Sequence, residues 1–385
     1  MTERLFETDM SLLIFSATVM RCEPAKGGYA VVLDRTAFFP EGGGQPADHG
    51  KLGTANVLDA HRKDGEVLHL CDAPLTVGET VTGIVDAARR LMHSQQHSGE
   101  HIFSGLTHRR FGYDNVGFHM GSEAVTMDFN GPMTEAEARE IERQANEIVW
   151  QDLPIEVFVP TREELEHIEY RSKKEIDGDV RLVRIEGADC CACCGTHLMR
   201  TGAIGQIKLL SIQNYKQGVR VSILCGGRAL EYETRMLSAL HETAVSLSCR
   251  EEELPEAVQR LQQERDRLRY ENGALAMRLF ELESAKERKK AVRVFAADAL
   301  PASRLHEAAS ALAEGGICGL ALLRKEDGWN FAMTSAAKDV RPATRLLFSR
   351  FGGKGGGPKD MTQGRLFSGT VEEIRAELTV AMGQE

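Results

Sequence analysis

Three histidines recur at four-residue intervals in the segment 90–103, at His93, His97 and His101. Residues four positions apart lie on the same face of an α-helix, so these imidazoles are expected to stack along one side. Two imidazoles one turn apart can bind a single zinc ion from the same direction. The spacing therefore predicts half of a metal site, and the alternative is a polar helix face without a ligand.

A second group of metal-ligating residues lies between Asp189 and His197. It contains four of the nine cysteines, Cys190, Cys191, Cys193 and Cys194, whereas the other five are isolated in the chain. A self-contained zinc ribbon would need a second Cys-x-x-Cys pair, which the sequence lacks. A redox-active Cys-x-x-Cys pair is the alternative interpretation of this group.

The two groups complement each other. Cys193 and His197 have Cys-x-x-x-His spacing, and Gly195 between them permits a tight turn. Cysteine and histidine together are ligands that a tetrahedral zinc ion prefers. The joint prediction is a zinc site with four ligands, namely His97, His101, Cys193 and His197. His93, the remaining member of the histidine series, is interpreted as structural.

The composition limits the class of protein. The 385 residues, 42% hydrophobic and 27% charged, suffice for two or three domains. No stretch approaches the ~20 apolar residues that a membrane-spanning helix needs, and the N-terminus has no signal-peptide pattern. The protein is therefore expected in the cytoplasm, where clustered cysteines more often bind metal than form disulfides. The net charge of −10 restricts any nucleic-acid binding to local basic patches.

The predicted fold class is α+β, and residues 1–90 form its first domain. Short apolar runs at 17–20, 29–33 and 80–85 alternate with turn residues, which predicts a small, mostly antiparallel, β-barrel-like domain. A glycine-rich loop, Gly42-Gly43-Gly44-Gln45, lies between its strands. Glycines allow a positive φ and let backbone N–H groups approach a ligand closely. The alternative is a flexible hairpin, since the loop lacks the Lys-Ser/Thr ending of a phosphate-binding loop.

Residues 91–227 are predicted to form a zinc-containing α+β domain that begins with the histidine helix. A second helix is expected at 134–150, where Thr134 and Glu137 have capping-box spacing. Strands are predicted by the apolar runs at 124–129, 154–159, 180–185, 204–211 and 219–224. Gly99 inside the first helix costs about 1 kcal/mol relative to alanine. The hypothesis is that another backbone or a substrate approaches there, and packing is the alternative.

Residues 228–290 are predicted to form a helical spacer, because they are nearly free of glycine and proline. A 4-3-4-3 heptad pattern runs through Leu254, Val258, Leu261, Arg265, Leu268, Asn272, Leu275, Leu279 and Leu282. Pro255 suits the first turn of this helix. The spacer is a predicted dimer contact, so the protein is expected to be a homodimer.

Residues 291–385 are predicted to form a small α/β domain with strands near 292–296, 317–323 and 329–334. The segment is locally basic although the chain is acidic, because it carries Arg341, Arg345, Arg350, Lys354, Lys359 and Arg365. Contact with phosphate groups is the functional interpretation, and a solvated glycine-rich loop is the alternative.

These motifs, in this order, resemble those of the alanyl-tRNA editing proteins (the AlaX family, long form), which are freestanding relatives of the alanyl-tRNA synthetase editing domain. The segment 36–48 resembles the family's Gly-Gly-Gly-Gln-Pro loop, and 96–102 resembles Gln-His-Thr-Gly-Gln-His-Leu. The segment 193–197 resembles Cys-Gly-Gly-Thr-His, followed by a matching 201–205. The segment 352–361 resembles a Gly-Gly-Lys/Arg-Gly-Gly-Gly…Asp-Met loop of the synthetase's C-terminal domain.

The resemblance implies hydrolysis of tRNA(Ala) mischarged with serine, and in second place glycine, by a zinc-dependent editing domain at 91–227. An alanine pocket cannot strongly exclude an analogue that adds only a hydroxyl or lacks a methyl, so a second hydrolytic site is needed. The zinc ion would orient the aminoacyl group or polarise water. The implied substrate-binding residues are Thr36, Gly43, Gly44, Gln45 and His119, of which Thr36 would bind the serine hydroxyl. The C-terminal domain would contribute tRNA contacts, at Arg350, Lys354 and Lys359, and dimerisation.

The sequence departs from the family pattern at Cys194, which stands where the family has glycine. The ligating cysteine is therefore left open among the four clustered ones. Four protein ligands would also fill a tetrahedral shell, whereas a catalytic zinc ion usually keeps one position open. Three alternatives follow: His197 binds weakly, the coordination expands when substrate binds, or the zinc ion is mainly structural. His197 is accordingly ranked last among the predicted ligands. Apart from the zinc site, no catalytic residue is assigned.

Two other functions fit part of the sequence. His97-Ser98-Gly99-Glu100-His101 matches the His-x-x-Glu-His signature of inverzincin metalloproteases, with Glu100 as general base. That interpretation leaves the cysteine cluster, the glycine-rich loop and the basic C-terminal segment unexplained. A non-catalytic tRNA-binding protein with structural zinc is the other alternative. A complete synthetase is not expected, because no adenylate-forming segment precedes the editing-like part.

Overall fold

The computed structural model describes residues 1–172, 179–298 and 300–383. The chain folds into two compact units, 1–240 and 241–385. Within the described ranges, no helix combines the length and the apolar character that crossing a membrane requires. The division into four domains that the sequence suggests remains a prediction.

The first unit begins with a closed β-barrel. Its opening segment contains β1 (Glu3–Arg4), α1 (Leu5–Thr8), β2 (Ile14–Ala25), β3 (Gly28–Leu33), β4 (Arg35–Thr36), β5 (Gly50–Leu52), β6 (Ala55–Lys63), β7 (Glu66–Cys71) and β8 (Thr80–Val85). Six of these strands pair in the order β2-β3-β7-β6-β5-β8, and β8 closes the ring by pairing with β2. All pairs in the ring are antiparallel. The barrel-like prediction for this segment agrees with the strand pairing.

Alternating burial explains why these segments form strands. Along β8, every second side chain is buried, as expected for a strand with one face toward a core. The barrel core is formed by apolar side chains from all around the ring, including Phe15, Val31, Leu33, Phe38, Leu52 and Val81. The glycine-rich loop lies outside these strands, between β4 and β5.

The rest of the first unit is built around one long helix. Its elements are α2 (Ala87–Phe111), β9 (Asn115–Met120), β10 (Val125–Phe129), α3 (Glu135–Trp150), β11 (Ile155–Phe158), α4 (Arg162–Leu165), β12 (Leu182–Ile185), β13 (Asp189–Ala192), β14 (Ile207–Tyr215), β15 (Gly218–Cys225) and α5 (Gly226–Ser246). The helix α2 begins at the N-cap Asp86, whose side chain accepts from the Arg89 N–H, and ends at Gly112 in the left-handed conformation. The predicted capping box of α3, formed by Thr134 and Glu137, is confirmed.

Two antiparallel sheets surround α2. One has the order β14-β15-β10-β9, and the other has the order β11-β12-β13. Both α2 and α3 pack against the first sheet, and β13 lies beside α2. Their shared core includes Ile102 and Phe103 from α2, Met127 from β10, Ile141 from α3 and Val221 from β15. The helix that carries the histidines is therefore held on several sides by packed structure.

Gly99 serves packing. A Cβ atom at this position would lie 2.3 Å from Cys225 Sγ and 3.3 Å from Ile207 Cγ1. The absent side chain lets α2 lie directly on β14 and β15. The neighbours are side-chain atoms of the same unit, so packing, the alternative interpretation of this glycine, is the one observed, and the hypothesis of an approaching backbone or substrate is not supported.

The second unit contains the end of α5, α6 (Leu254–Glu283), β16 (Val292–Ala296), α7 (Leu305–Ala313), β17 (Cys318–Lys325), β18 (Gly328–Thr334), α8 (Arg341–Phe351), β19 (Gly353–Gly356), β20 (Met361–Leu366) and α9 (Val371–Gly383). Its sheet has the order β16-β17-β18-β20-β19 and contains one parallel pair, β16-β17. The interpretation of the segment 352–361 as a loop is wrong in part, because β19 pairs with β20.

The predicted heptad seam lies on α6 and is largely exposed. Leu254 is buried at the start of the helix, where Pro255 occupies the first turn. The exposed apolar residues of the seam are Val258, Leu261, Leu268, Leu275, Leu279 and Leu282. Such a row can pair with a second helix. The dimer contact remains a prediction.

Replacing Gly99 by alanine is expected to destabilise the first unit. Overpacking against Cys225 costs about 1–3 kcal/mol, which outweighs the gain of about 1 kcal/mol in helix propensity. Thermal unfolding of Gly99→Ala, Cys225→Ala and the double variant measures the effect. The double variant should recover most of the lost stability, because Cys225→Ala removes the sulfur that the new methyl group meets. Simple addition of the two single costs would contradict this explanation.

Candidate metal centre

The helix α2 positions His97 and His101 on one face, and both side chains are buried, with 3% of each residue exposed. Their ring centroids are 5.2 Å apart, as the four-residue spacing predicts. The packing described above holds the helix, so neither imidazole depends on a mobile loop for its place.

Cys193 and His197 lie on the turn that follows β13. Arg181 holds this turn, since its Nη1 donates to the carbonyl oxygens of Cys193, at 2.7 Å, and Gly195, at 3.2 Å. The Gly195 N–H donates to Cys193 Sγ at 3.3 Å. A Cβ atom on Gly195 would lie 2.1 Å from His97 Cε1, so the turn can approach α2 only with glycine at this position.

The structure brings the four predicted ligands together. Cys193 Sγ lies 3.4 Å from His97 Nε2 and 3.4 Å from His197 Nε2. One ligand atom from each of His97, His101, Cys193 and His197 lies within 4.8 Å of the other three. Bond lengths of about 2.0–2.1 Å to nitrogen and 2.3 Å to sulfur imply separations of roughly 3.3–3.6 Å around a tetrahedral ion. The measured sulfur–nitrogen distances match that geometry, so the group could hold one metal ion.

Each histidine uses its other ring nitrogen to hold the imidazole in place. His97 Nδ1 lies 2.8 Å from Gln45 Oε1, and His101 Nδ1 lies 2.9 Å from Asp189 Oδ2. Since both oxygens can only accept, these Nδ1 atoms carry the hydrogen and Nε2 keeps a lone pair. His197 Nδ1 is 3.3 Å from Ser98 Oγ. Hydrogen bonds of this kind set the tautomer and ring orientation that a metal ligand needs.

The electrostatics of the group distinguish Cys193 from the neighbouring cysteines. Burial raises the pKa of the Cys193 thiol, but the charges of His97, His101 and His197 outweigh burial and hold this pKa well below its usual value. By contrast, burial raises the pKa of Cys191 to about 11 and also raises the pKa of Cys190 and Cys194. Cys193 is therefore the cysteine of the cluster that is favoured as a thiolate, the form that binds metal.

The pKa values of two histidines change in opposite directions. Burial lowers the pKa of His101, but the Cys193 thiolate and the hydrogen bond to Asp189 raise it well above its usual value. Burial, aided by the charge of His97, lowers the pKa of His197 to about 3. Without a cation, the Cys193 thiolate therefore favours a second proton on His101, at Nε2, beside a neutral His197. A metal ion would take the place of that proton, and Nε2 would then offer its lone pair.

Asp189 is a buried carboxylate to which the sequence motifs alone assign no role. Arg171 donates to it from Nε at 2.8 Å and from Nη2 at 2.9 Å. Burial raises the pKa of Asp189, but the hydrogen bond from His101 and the charge of Arg171 lower it overall. Asp189 stands beside Cys190 in the sequence, and carboxylate partners of metal-ligating histidines are common. That combination is the signal that could have identified it.

The glycine-rich loop lies against the metal-binding group. Gly42 and Gln45 exchange backbone hydrogen bonds at 3.0 and 3.1 Å, around Gly43 with φ of 60° and Gly44 with φ of 84°. A Cβ atom on Gly44 would lie 2.6 Å from Phe118 Cδ1. Phe118, on β9, stacks on the His97 ring at a centroid distance of 5.2 Å. The positive φ values predicted for this loop are observed, and the group that approaches Gly44 closely is Phe118. The approach of its backbone to a ligand remains a prediction.

Gln45 is completely buried, and protein groups occupy its amide. Its Oε1 accepts from His97 and from the Thr196 N–H at 3.1 Å, while its Nε2 donates to Thr196 Oγ1 at 2.9 Å. Ser94 Oγ also donates to Thr196 Oγ1, at 3.0 Å. In this arrangement Gln45 connects the glycine-rich loop to both halves of the metal-binding group.

Thr36 is completely buried, and its hydroxyl hydrogen has a protein partner. His69 Nδ1 donates to the Val31 carbonyl at 3.1 Å, so its Nε2 accepts from Thr36 Oγ1 at 2.8 Å. The Phe38 N–H donates to the same hydroxyl at 3.1 Å. Burial lowers the pKa of His69 to about 4, which keeps the ring neutral. A further partner of Thr36 Oγ1 would have to be a donor.

His119, the last predicted substrate-binding residue, is exposed on β9, next to Phe118 in the sequence. The predicted tRNA-binding residues Arg350, Lys354 and Lys359 are exposed on the second unit. Lys354 is paired in register with Arg365 of β20. Both line an open groove of about 540 Å³.

Comparison with known proteins places these features in a family context. The model for the second additional domain of threonyl and alanyl tRNA synthetases matches residues 180–221, and the model for class II (A) tRNA synthetases matches residues 11–89. The alanyl-tRNA editing protein Aarsd1-B of Xenopus laevis is 31% identical over 292 residues, which cover 71% of this chain and 71% of the relative.

Two further relatives show how much of each protein is shared. Aarsd1 of Bos taurus is 32% identical over 266 residues, covering 64% of this chain and 60% of that protein. The alanine–tRNA ligase of Halorubrum lacusprofundi is 35% identical over 276 residues, covering 68% of this chain. The matched segment spans only 30% of the ligase.

Removing the charge of Asp189 is expected to weaken metal binding. Asp189→Asn keeps the shape and loses the negative charge that supports His101, and such changes typically cost about 10–100-fold in metal affinity. Competition with a chromogenic chelator for a divalent cation measures the loss. Asp64→Asn is the matched control, because Asp64 is exposed in a turn with φ of 49°, which asparagine tolerates. Equal affinities in the two variants would exclude a role for Asp189 in supporting the ligand.

Proposed function

Because the chain belongs to the alanyl-tRNA editing protein family, we propose that it hydrolyses the ester bond of tRNA(Ala) mischarged with serine, and secondarily with glycine. The observation that carries the proposal is the convergence of His97, His101, Cys193 and His197 beside the glycine-rich loop. The chain spans less than a third of the matched synthetases. The proposed activity, removal of an amino acid from tRNA, follows its similarity to the alanyl-tRNA editing relatives.

Zinc is the proposed metal because of the chemistry of the donors. Three imidazole nitrogens and one thiolate sulfur suit a borderline-soft ion with tetrahedral geometry. The Nδ1 partners Gln45 and Asp189 leave the Nε2 atoms of His97 and His101 available. When bound, the ion would supply positive charge that orients the aminoacyl group or polarises water.

The protein residues have separate proposed tasks. Gln45 positions His97, since its amide is used by protein groups. Gly43 allows the turn of the loop through its positive φ, and Gly44 allows the close approach to Phe118 of β9. The exposed His119 would contact the aminoacylated end of the tRNA. The negatively charged phosphates of the tRNA backbone would be bound by the positive side chains of Arg350, Lys354 and Lys359. The exposed seam on α6 would join two copies of the chain.

Thr36 is proposed to recognise the hydroxyl group of the serine substrate by accepting a hydrogen bond from it. The Thr36 hydroxyl donates its hydrogen to His69 Nε2, and one of its two lone pairs accepts from the Phe38 N–H. The other lone pair can therefore accept a hydrogen bond from a substrate O–H. Alanine offers no such donor, and a site that hydrogen-bonds a hydroxyl discriminates against a substrate without one. This direction of the hydrogen bond is consistent with selection of serine over alanine.

The protease alternative is weakened by the ligand set. An inverzincin would use Glu100 as general base beside a carboxylate ligand. Here Cys193 and His197 occupy the positions opposite the two helix histidines. Glu100 Oε1 accepts from Ser104 Oγ at 2.6 Å and from Asn115 Nδ2 at 2.6 Å. A purely tRNA-binding role is the remaining alternative.

The first experiment measures deacylation of Ser-, Gly- and Ala-tRNA(Ala) together with metal content. The wild-type protein should contain about one zinc ion per chain and deacylate Ser-tRNA(Ala) fastest. Cys193→Ala should lose both properties, because the thiolate is the one anionic ligand in the group. Cys194→Ala, which removes an exposed neighbouring thiol, is the control that should keep both. Full activity of Cys193→Ala would refute the proposed site, and absence of activity in the wild type would favour the binding role.

The second experiment tests serine selection. Thr36→Val removes the hydroxyl and should reduce the Ser/Ala preference in kcat/KM by about 10-fold, the value of one hydrogen bond of about 1.4 kcal/mol. Thr36→Ser restores the hydroxyl and should restore the preference. Thermal unfolding is measured alongside, because Thr36→Val leaves His69 Nε2 and the Phe38 N–H without their partner. Unchanged selectivity in a folded Thr36→Val protein removes this residue from substrate recognition.

A further inference from the structure

His93 is a buried histidine with an unsatisfied ring nitrogen. It lies one helical turn before His97 and is 3% exposed. Its Nδ1 has no hydrogen-bond partner within the described part of the chain. Buried polar atoms nearly always have a partner, so an orphan of this kind calls for an explanation, such as a ligand.

Positive charges surround this ring. Burial lowers the pKa of His93 to about 4, and the charges of Arg89, Arg228, His49 and Arg90 contribute in the same direction. The imidazole is therefore neutral and can donate one N–H. Three arginines therefore place positive charge around one buried donor, whereas His49, whose own pKa is lowered by burial, adds little.

Two of the neighbouring arginines keep their charge uncompensated. Arg89 Nε donates to the Ala47 carbonyl at 2.9 Å, and Arg228 Nη2 donates to the Gly121 carbonyl at 3.0 Å. Among the described residues, neither guanidinium has a carboxylate within ion-pair distance, although Glu123 and Glu231 influence Arg228 from further away. Arg90 differs, because it forms a buried ion pair with Asp48.

The two carbonyl groups belong to segments next to the glycine-rich loop and to β9, both of which contact His97 through Gln45 and Phe118. Ala47 follows the glycine-rich loop, and Gly121 follows β9, the strand that carries Phe118 and His119. The N-terminal end of α5, where Arg228 lies, is joined to α2 through a hydrogen bond from the Gly227 N–H to Gln95 Oε1 at 3.3 Å. A helix N-terminus adds partial positive charge.

We propose that His93, Arg89 and Arg228 bind the phosphate group that joins the last two nucleotides of the tRNA acceptor strand. The proposal rests on the proposed function, which puts the aminoacyl ester at the metal-binding group. The ester and the 5′ phosphate of the terminal adenosine are attached to the same ribose. One helical turn separates His93 from His97, about 6 Å along the axis of α2, so one nucleotide could reach both. His93 would then be a binding residue, in contrast to the structural role expected from sequence.

The test compares two non-hydrolysable analogues that differ by one phosphate. Both carry serine linked through an amide to 3′-amino-3′-deoxyadenosine, and one has a 5′ phosphate. Calorimetry gives the dissociation constants for the full-length, zinc-loaded protein. The wild-type protein should bind the phosphorylated analogue about 10- to 100-fold more tightly, because charge-assisted hydrogen bonds to phosphate are among the stronger ones.

Three variants test which residues are responsible for the tighter binding of the phosphorylated analogue. Arg228→Gln and Arg89→Gln should each lower the phosphate preference about 10-fold, while affinity for the analogue without phosphate stays as in the wild type. His93→Phe fills the same space without a polar atom, so it should keep its thermal stability and also lose part of the preference. Arg143→Gln is the control with the same charge change, since Arg143 is exposed and paired with Glu140 and Glu147. It should keep the full preference.

The outcomes separate this inference from the proposed function. A wild-type protein that deacylates Ser-tRNA(Ala) but shows no preference for the phosphorylated analogue overturns the phosphate site alone. A protein that shows the preference but has no deacylase activity overturns the proposed function and leaves the phosphate site standing. Equal preferences in Arg228→Gln, Arg89→Gln and Arg143→Gln would also overturn the phosphate site.

Discussion

The close contact between α2 and the turn 193–197 is the constraint on which the rest of the structure depends. Gly195 lies so near His97 that any Cβ atom would overlap the ring. Thr196, the next residue, is joined to Gln45 and Ser94 by hydrogen bonds. This contact brings a thiolate and an imidazole from one part of the chain against two imidazoles from another. Without it, neither half of the group would have enough ligands for a metal ion.

Buried polar side chains of the first unit form hydrogen bonds around this contact. Arg90 of α2 pairs with buried Asp48 and also donates to the Met10 and Ala37 carbonyls, at 2.9 and 2.7 Å. These bonds tie the barrel and its glycine-rich loop to the helix. A buried ion pair is costly unless its hydrogen bonds are complete, and here several bonds satisfy the guanidinium. The glycine-rich loop, α2 and the turn 193–197 therefore hold one another in a single arrangement. By contrast, Arg89 and Arg228 form no ion pair among the described residues, and His93 Nδ1 has no hydrogen-bond partner there.

The elements were largely predictable, and the contacts were only partly so. Period-two patterns and capping signals are local, so the sequence predicts three of the six barrel strands, β2, β3 and β8, together with α3 and its capping box and β16. The ring strands β5, β6 and β7 are not among the strands it names. The glycine-rich segment 353–356 was not recognised as a strand, because glycine has little strand propensity and the pairing with β20 depends on distant residues. At the site, the support that Asp189 and Ser98 give to the histidines also escaped detection, since each acts through a neighbour about ninety or a hundred positions away.

The sequence by itself determined the chemical types of the ligands and the helical spacing of His97 and His101, because a four-residue repeat on a helix fixes a shared face through backbone geometry alone. It also determined the need for glycine in the turn and the loop. Only the tertiary structure decided that Cys193 is the cysteine in the group and which ring nitrogens face its sulfur. It also decided that Arg89 and Arg228 lie around His93. Those facts follow from how α2, the turn after β13 and the start of α5 pack together, and packing between distant segments leaves no periodic trace in a single chain.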